Sequence, residues 1–177
     1  KGDRFMNKKI MYIITILSTA VLLFLDQIAK YLVVLHLKGQ AAIPIIKNVF
    51  ELQYLENQGA AFGIMQGKKT FFVIGTLIFL VIVVILYHNI PLTKRFTPIR
   101  IVAVLIVAGA IGNMIDRVVH QYVIDFFYFK LINFPIFNVA DIYVVACILF
   151  ILLMLFYYKE EELGQIFPFM KNKKAEE

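Results

Sequence analysis

The apolar residues of this 177-residue chain gather into four long runs. A helix needs about 20 apolar residues to cross a bilayer, and the runs cover approximately residues 10–37, 70–88, 99–119 and 139–158. The first run is too long for the apolar core of a signal peptide. The pattern predicts a single integral membrane domain over residues 1–177 with four transmembrane helices. Residues 1–5, which precede Met6, are expected to be a leftover segment that takes no part in the fold.

The segments between the runs predict a second kind of structure. Residues 38–69 are interrupted by Pro44 and several glycines, and residues 43–55 are rich in the β-branched and aromatic side chains typical of short strands. Residues 123–129 have the same character within the segment 120–138. We expect both segments to form a small β-rich unit resting on the membrane. Within the third run, Gly109 and Gly112 predict a close contact between helices.

Composition supports a membrane protein, since 61% of residues are hydrophobic and 17% are charged, against about 45–50% and about 25% in soluble domains. The net charge is +6, but the basic residues cluster locally and are not interleaved with aromatic residues, which argues against nucleic-acid binding. Cys147 is the single cysteine, so no intrachain disulfide can form, and we expect a buried small apolar residue there.

The basic clusters also predict orientation. They lie near the N-terminus, around residues 94–100 and at the C-terminus, whereas the segment 120–138 offers only Lys130. The positive-inside rule then places both termini in the cytoplasm and the segments 38–69 and 120–138 outside. This topology brings polar residues from distant parts of the chain to the outer ends of the helices: Asp26, Lys30, Asn57, Asn113, Asp116, Arg117, Asn138 and Asp141.

Carboxylates beside a bilayer require an explanation. Asp125 and Asp141 are joined by a segment long enough to turn back, and two carboxyls brought close together share a proton. Such a pair can deprotonate a water and protonate a leaving amine. From spacing alone, other interpretations stay open: Asp141 as a charge at a helix N-terminus, Asp125 as an interfacial loop charge, or a proton or ion transporter. A non-catalytic membrane binding module is a third possibility.

The remaining charges have simpler local explanations. Asp26 and Lys30 are four residues apart on a helix and can pair; a direct role at the site is the alternative. Asp116 is predicted to pair with its neighbour Arg117. The three histidines are scattered without an HExxH motif, and no serine lies in a GxSxG elbow. The sequence therefore gives little support to zinc, serine or cysteine catalysis. We therefore expect no metal and no cofactor.

Five ordered motifs resemble those of the lipoprotein signal peptidases, also called signal peptidase II, over nearly the whole chain. The matching stretches are Asp26-Gln27-Ile28-Ala29-Lys30, Asn57-Gln58-Gly59-Ala60-Ala61-Phe62, Gly112-Asn113-Met114-Ile115-Asp116-Arg117, Val123-Ile124-Asp125-Phe126 and Phe134-Pro135-Ile136-Phe137-Asn138-Val139-Ala140-Asp141. The resemblance implies an aspartic endopeptidase of the bacterial cytoplasmic membrane with four transmembrane helices, and an extracytoplasmic β-cradle with a short helical arm.

The resemblance also implies the residues and partners. Asp125 and Asp141 match the catalytic aspartates, which would act near the extracytoplasmic face. Supporting positions, some of them lining the site, are Asp26, Lys30, Asn57, Gly59, Asn113, Asp116, Arg117 and Asn138. The implied substrate is a diacylglyceryl-modified prolipoprotein cut before its lipidated cysteine, in contact with membrane lipid. Cyclic depsipeptides of the globomycin type are the implied inhibitors.

The chain departs from the family pattern in one loop. Family members commonly carry a glycine five residues after the aspartate of the N-x-x-D-R motif, and Gln121 occupies that place. The segment between Asp125 and Asp141 also looks short. These differences concern the shape of the loop more than its chemistry.

Overall fold

The computed structural model describes residues 7–59 and 67–167. Their helices are α1 (Lys8–Leu37), α2 (Lys69–Asn89), α3 (Thr97–His120), α4 (Val139–Tyr157) and the short α5 (Glu160–Leu163). The strands are β1 (Ile43–Ile46), β2 (Phe50–Asn57) and β3 (Val123–Tyr128). Single 3-10 turns occupy Lys94–Phe96 and Lys130–Ile132. The predicted leftover segment, residues 1–5, lies outside the described residues.

Three apolar segments among the described residues are long enough to cross a membrane: Lys8–Leu37, Lys69–Asn89 and Lys94–His120. A shorter apolar stretch, Val139–Leu152, lies within α4. Large apolar side chains on these helices remain exposed, among them Leu17 at 60% and Val84 at 64%. Because an aqueous surface would not leave so much apolar area uncovered, the helices have the surface of a protein solvated by lipid.

Helix α3 is the centre of the bundle and packs against α1, α2 and α4. The predicted close contact at its glycines is present. A Cβ atom on Gly109 would lie 2.6 Å from the backbone oxygen of Ala140, and one on Gly112 would lie 2.5 Å from a carboxylate oxygen of Asp26. The missing side chains thus let α3 approach α4 and α1 closely enough for their polar ends to meet.

The three strands form one antiparallel sheet in the order β1-β2-β3. Leu55 of β2 pairs with Asp125 of β3, and Asn57 pairs with Val123. The inner residues of β3 pack against Val33 and Leu37 in the last turns of α1. The sheet is therefore fixed to the end of the bundle, and the strands predicted in both connecting segments are confirmed.

The other end of the bundle is closed by a separate apolar cluster. Met11, Tyr87, Phe96, Tyr158 and Ile166 are buried together there. This cluster joins α5 to the connection between α2 and α3.

Part of the implied β-cradle lies outside the described residues. The connection from β2 to α2 includes residues 60–66, which are not described, and in the described parts of the two connecting segments the single helical turn is Lys130–Ile132. The short helical arm implied by the resemblance stays a prediction.

Candidate functional site

Asp125 is placed by the pairing of β3 with β2. The side chain is 1% exposed and accepts hydrogen bonds from two asparagine amides. Nδ2 of Asn57 lies 2.8 Å from Oδ2, and Nδ2 of Asn138 lies 2.6 Å from Oδ1. Asn57 reaches it because it ends β2, two residues beyond the partner of Asp125 in the register. Both carboxylate oxygens are thus held by neutral donors.

Asp141 is placed by the start of α4. Asn138 caps this helix: its Oδ1 accepts from the Asp141 backbone amide at 3.0 Å, while Oδ2 of Asp141 accepts from the Asn138 backbone amide at 3.0 Å. This reciprocal capping box fixes the side-chain rotamer of Asp141. Its other oxygen, Oδ1, accepts from Nδ2 of Asn113 on α3 at 2.8 Å.

Two asparagines connect the two carboxylates. Nδ2 of Asn138 donates both to Asp125 and to Oδ1 of Asn113, the latter at 3.1 Å. Because the Oδ1 atom of Asn113 is occupied in this way, its NH2 group points to Asp141. Asp125 and Asp141, 16 positions apart in sequence, therefore share one polar network.

The surroundings of Asp125 favour its neutral form. Burial, and to a smaller extent the charge of Asp141, raise the pKa of the Asp125 carboxyl from 3.8 to about 7. Hydrogen bonds from Asn57 and Asn138 and the charge of Lys30 act in the opposite direction. A carboxyl with a pKa near neutrality can both accept and donate a proton at physiological pH.

A buried charge cluster lies beside this network. Nζ of Lys30 is 2.9 Å from Oδ2 of Asp26 and 2.9 Å from Oδ2 of Asp116, and these three side chains are at most 2% exposed. The predicted pair of Asp26 and Lys30 is confirmed. The predicted pairing of Asp116 with Arg117 is wrong, because folding brings the buried ammonium of α1 to Asp116 instead.

Arg117 turns toward the segment that follows β2. Its guanidinium donates to the backbone oxygens of Gly59, at 3.3 Å, and Asn113, at 3.2 Å. It also lies 4.8 Å from the ring centre of Phe72 on α2. Arg117 thus joins α2, α3 and the end of β2 at the mouth of the site.

A cavity of about 1380 Å³ opens beside the two aspartates. The predicted site residues on its wall are Asn57, Gly59, Asn113, Arg117, Asp125 and Asp141. Four other predicted residues do not line the cavity and lie behind its wall: Asp26, Lys30, Asp116 and Asn138. Apolar side chains form the rest of the lining, including Phe129, Ile132 and Phe134 after β3, and Ile142, Val145 and Leu149 along α4. The cavity therefore has a polar end and a long apolar side.

Sequence reasoning missed Gln27. Its Nε2 donates to Oδ2 of Asp26 and to Oδ1 of Asp116, both at 3.1 Å. The available signal was its place in the first motif, between the two charges. No group of three or more metal-binding side chains occurs within residues 7–59 and 67–167.

Comparison with known proteins gives a consistent family match. The family model described as signal peptidase (SPase) II matches residues 18–157. A lipoprotein signal peptidase of Halothermothrix orenii is 38% identical over 81% of this chain and 94% of its own. That of Clostridioides difficile is 40% identical over 82% and 97%.

Solved structures show the same likeness. A bacterial membrane enzyme determined by the in meso method at 2.3 Å is 30% identical, with a TM-score of 0.67 over 81% of this chain and 87% of that one. A second, at 1.9 Å, is 33% identical, with a TM-score of 0.67 over 80% and 91%.

Proposed function

Because the chain belongs to the signal peptidase II family of membrane proteases, we propose that it is an aspartic endopeptidase that uses Asp125 and Asp141 to activate water. The substrates would be diacylglyceryl-modified prolipoproteins, cut before the lipidated cysteine. The observation that carries the proposal is that both carboxylates line one cavity and are hydrogen-bonded to Asn138 behind its wall.

The chemistry follows from sharing one proton between the two carboxyls. The ionised aspartate accepts a proton from a water molecule, whose oxygen attacks the scissile carbonyl carbon. The protonated aspartate donates its proton toward the carbonyl oxygen, and a tetrahedral intermediate forms. In the second step the newly protonated aspartate gives its proton to the cysteine nitrogen, and the newly ionised aspartate takes a proton from one hydroxyl of the intermediate. The C–N bond then breaks, which releases the amine and a carboxyl group. Asn57 and Asn113, with Arg117, would orient the substrate backbone, and Asn138 would hold both carboxylates.

The shape of the cavity supports a lipidated substrate. Its polar end holds the aspartates, whereas its apolar side runs along α4 past Val145 and Leu149. Acyl chains are stabilised by apolar walls and by the surrounding bilayer. We place the diacylglyceryl group along α4 and the peptide across the polar end.

The arrangement in the membrane belongs to the same proposal. Four spans, with α4 as the fourth, would put both termini in the cytoplasm and the sheet with the aspartates on the extracytoplasmic side. The 19 residues of α4 approach the length that a bilayer requires, and the basic clusters support this orientation. Reporter fusions at the C-terminus test it: activity of a periplasmic reporter there would contradict the topology.

The deciding experiment is a gel-shift assay of a diacylglyceryl-modified prolipoprotein with purified protein. Asp125→Asn and Asp141→Asn should each abolish cleavage while the variants remain folded. Glu162→Gln, which removes a carboxylate paired with Arg95 at the other end of the bundle, should cleave like the wild type. A globomycin-type depsipeptide should block the wild-type reaction.

Two results would overturn the proposal. Full cleavage by either aspartate variant would exclude the pair as the catalyst. Proton flux into liposomes without any peptidase activity would favour the transporter interpretation instead.

A further inference from the structure

The two acidic partners of Lys30 share a second property. Oδ1 of Asp26 accepts from the backbone amide of Ala140 at 2.9 Å, and Oδ2 of Asp116 accepts from the backbone amide of Ile124 at 3.1 Å. Ala140 immediately precedes Asp141, and Ile124 immediately precedes Asp125. Each carboxylate of the charge cluster therefore holds the backbone beside one aspartate of the pair.

Lys30 joins these two attachments. Its ammonium lies 2.9 Å from each carboxylate and donates a third bond, at 3.0 Å, to Oδ1 of Asn113. That bond keeps the NH2 group of Asn113 directed at Asp141. An ammonium has three donors and no acceptor, and these three contacts use all of them.

We infer that Lys30 is a positioning residue that sets the separation and orientation of Asp125 and Asp141 from behind the cavity wall. It does not line the cavity and makes no contact with the space that the substrate would fill. It acts through Asp26 on the start of α4, through Asp116 on β3 and through Asn113 on the Asp141 side chain. Displacing a reacting group by about 1 Å can reduce a rate by about 10²-fold, so this placement matters to the reaction.

The positioning role rests on the proposed function, since it presumes that Asp125 and Asp141 act together. Its test uses the full-length protein in detergent with a diacylglyceryl-modified prolipoprotein. Lys30→Gln removes the charge and leaves at most two of the three donors, and Lys30→Arg keeps the charge. Lys38→Gln is the matched control, because Lys38 follows α1 and pairs with Glu56 at 2.8 Å on the exposed surface.

We expect Lys30→Gln to lower kcat by about 10²-fold with KM unchanged. Titration with a tight-binding depsipeptide should still count one active site per chain, which separates misplacement from a loss of folded protein. Lys30→Arg should recover part of kcat, and Lys38→Gln should match the wild type. An unchanged kcat in folded Lys30→Gln overturns the inference.

The pH profile supplies a readout that a purely structural role would not move. Asp125 faces Asp141 from α4, Lys30 from α1 and Arg117 from α3, and the positive charge of Lys30 lowers the pKa of Asp125. Lys30→Gln should therefore shift the limb of the pH–rate profile that reports Asp125 to higher pH, and Lys30→Arg should leave it in place. If Lys30→Gln does not fold, Asp26→Asn is the substitute variant, because it keeps an oxygen that can accept from the Ala140 amide. An unchanged rate and an unchanged pH profile in Asp26→Asn would contradict the inference.

Infrared difference spectra against Asp125→Asn measure the protonation of Asp125 without turnover. If the wild type cleaves no prolipoprotein but Lys30→Gln still shifts the titration of Asp125, the proposed function is rejected and the effect of Lys30 on Asp125 is retained. If the wild type cleaves prolipoprotein but Lys30→Gln leaves the titration of Asp125 unshifted, only the inference about Lys30 is rejected.

Discussion

Asn138 donates its side-chain amide to Asp125 across 2.6 Å while it caps the helix that carries Asp141. One residue thus combines a local structural task with a long-range one. The cap fixes where α4 begins, and the amide fixes where β3 lies relative to that beginning. Stability and activity should therefore change together when this side chain is altered.

Asn138→Ala should destabilise the protein and reduce cleavage strongly. Loss of an N-cap costs about 0.5–2 kcal/mol, and a buried carboxylate that loses a donor adds about 1–3 kcal/mol. The control is Asn7→Ala, because Asn7 caps α1 by accepting from the Lys9 amide at 2.9 Å far from the site. Thermal unfolding in detergent and the gel-shift assay measure both effects. Equal behaviour of the two variants would show that Asn138 acts only as a cap.

Asp125→Asn should abolish activity and remove the loss of stability that this group causes as the pH rises. The pKa of Asp125 is raised to about 7, so between about pH 4 and 7 the folded state binds a proton that the unfolded state has released. Stability from this group is complete below pH 4 and is lost as the pH rises through 7. The difference is on the order of 2–4 kcal/mol. The melting temperature of the variant relative to that of the wild type should be higher at pH 8 than at pH 4; the reverse order would contradict the raised pKa.

Local features of this fold could be read from the sequence, whereas partners distant in the chain could not. Strand-like residues predicted β3, and the apolar run that begins at residue 139 predicted the position of Asp141 at a helix start. The partner of Asp116 was predicted wrongly because adjacency favoured Arg117. Only the close packing of α1 on α3 brings Lys30 within 2.9 Å, and a single sequence does not specify that contact.

Asp116→Asn should reduce activity less completely than substitution of either aspartate of the pair. The amide oxygen can still accept from the Ile124 backbone, but Lys30 loses one of its two charged partners. Breaking a buried pair typically costs about 3–5 kcal/mol, so the variant should also unfold at a lower temperature. Residual cleavage is measured in the gel-shift assay. A complete loss of cleavage in the folded variant would place Asp116 within the chemistry itself.

Gln121→Gly should stabilise the protein. Gln121 ends α3 in the left-handed conformation, at φ 73° and ψ 2°, which glycine adopts without steric cost. A side chain with a Cβ atom loses about 1–2 kcal/mol there, and part of the gain is offset by the greater entropy of unfolded glycine. We expect a net increase of about 0.5–1 kcal/mol. Gln121→Ala is the control: it keeps the Cβ atom and should bring no gain. Equal stability of both variants would show that the loop is unstrained.

Gly109→Ala should separate α3 from α4 and reduce both stability and cleavage. The new Cβ atom would lie 2.6 Å from the backbone oxygen of Ala140 and 3.1 Å from Val144. A backbone oxygen in the first turn of a helix cannot turn aside, so α3 and α4 must move apart, which displaces Asp141 relative to Asn113 on α3. Overpacking of this kind costs about 1–3 kcal/mol.

Gly75→Ala on α2 provides the comparison for Gly109→Ala. A Cβ atom there meets no atom within 4 Å, and alanine favours the helix over glycine by about 1 kcal/mol. Gly75→Ala should therefore equal or exceed the wild type in melting temperature and cleave normally. If Gly109→Ala matched it in both measurements, the contact between α3 and α4 could not be what places Asp141, and the alignment of the two aspartates would have to depend on the polar network alone.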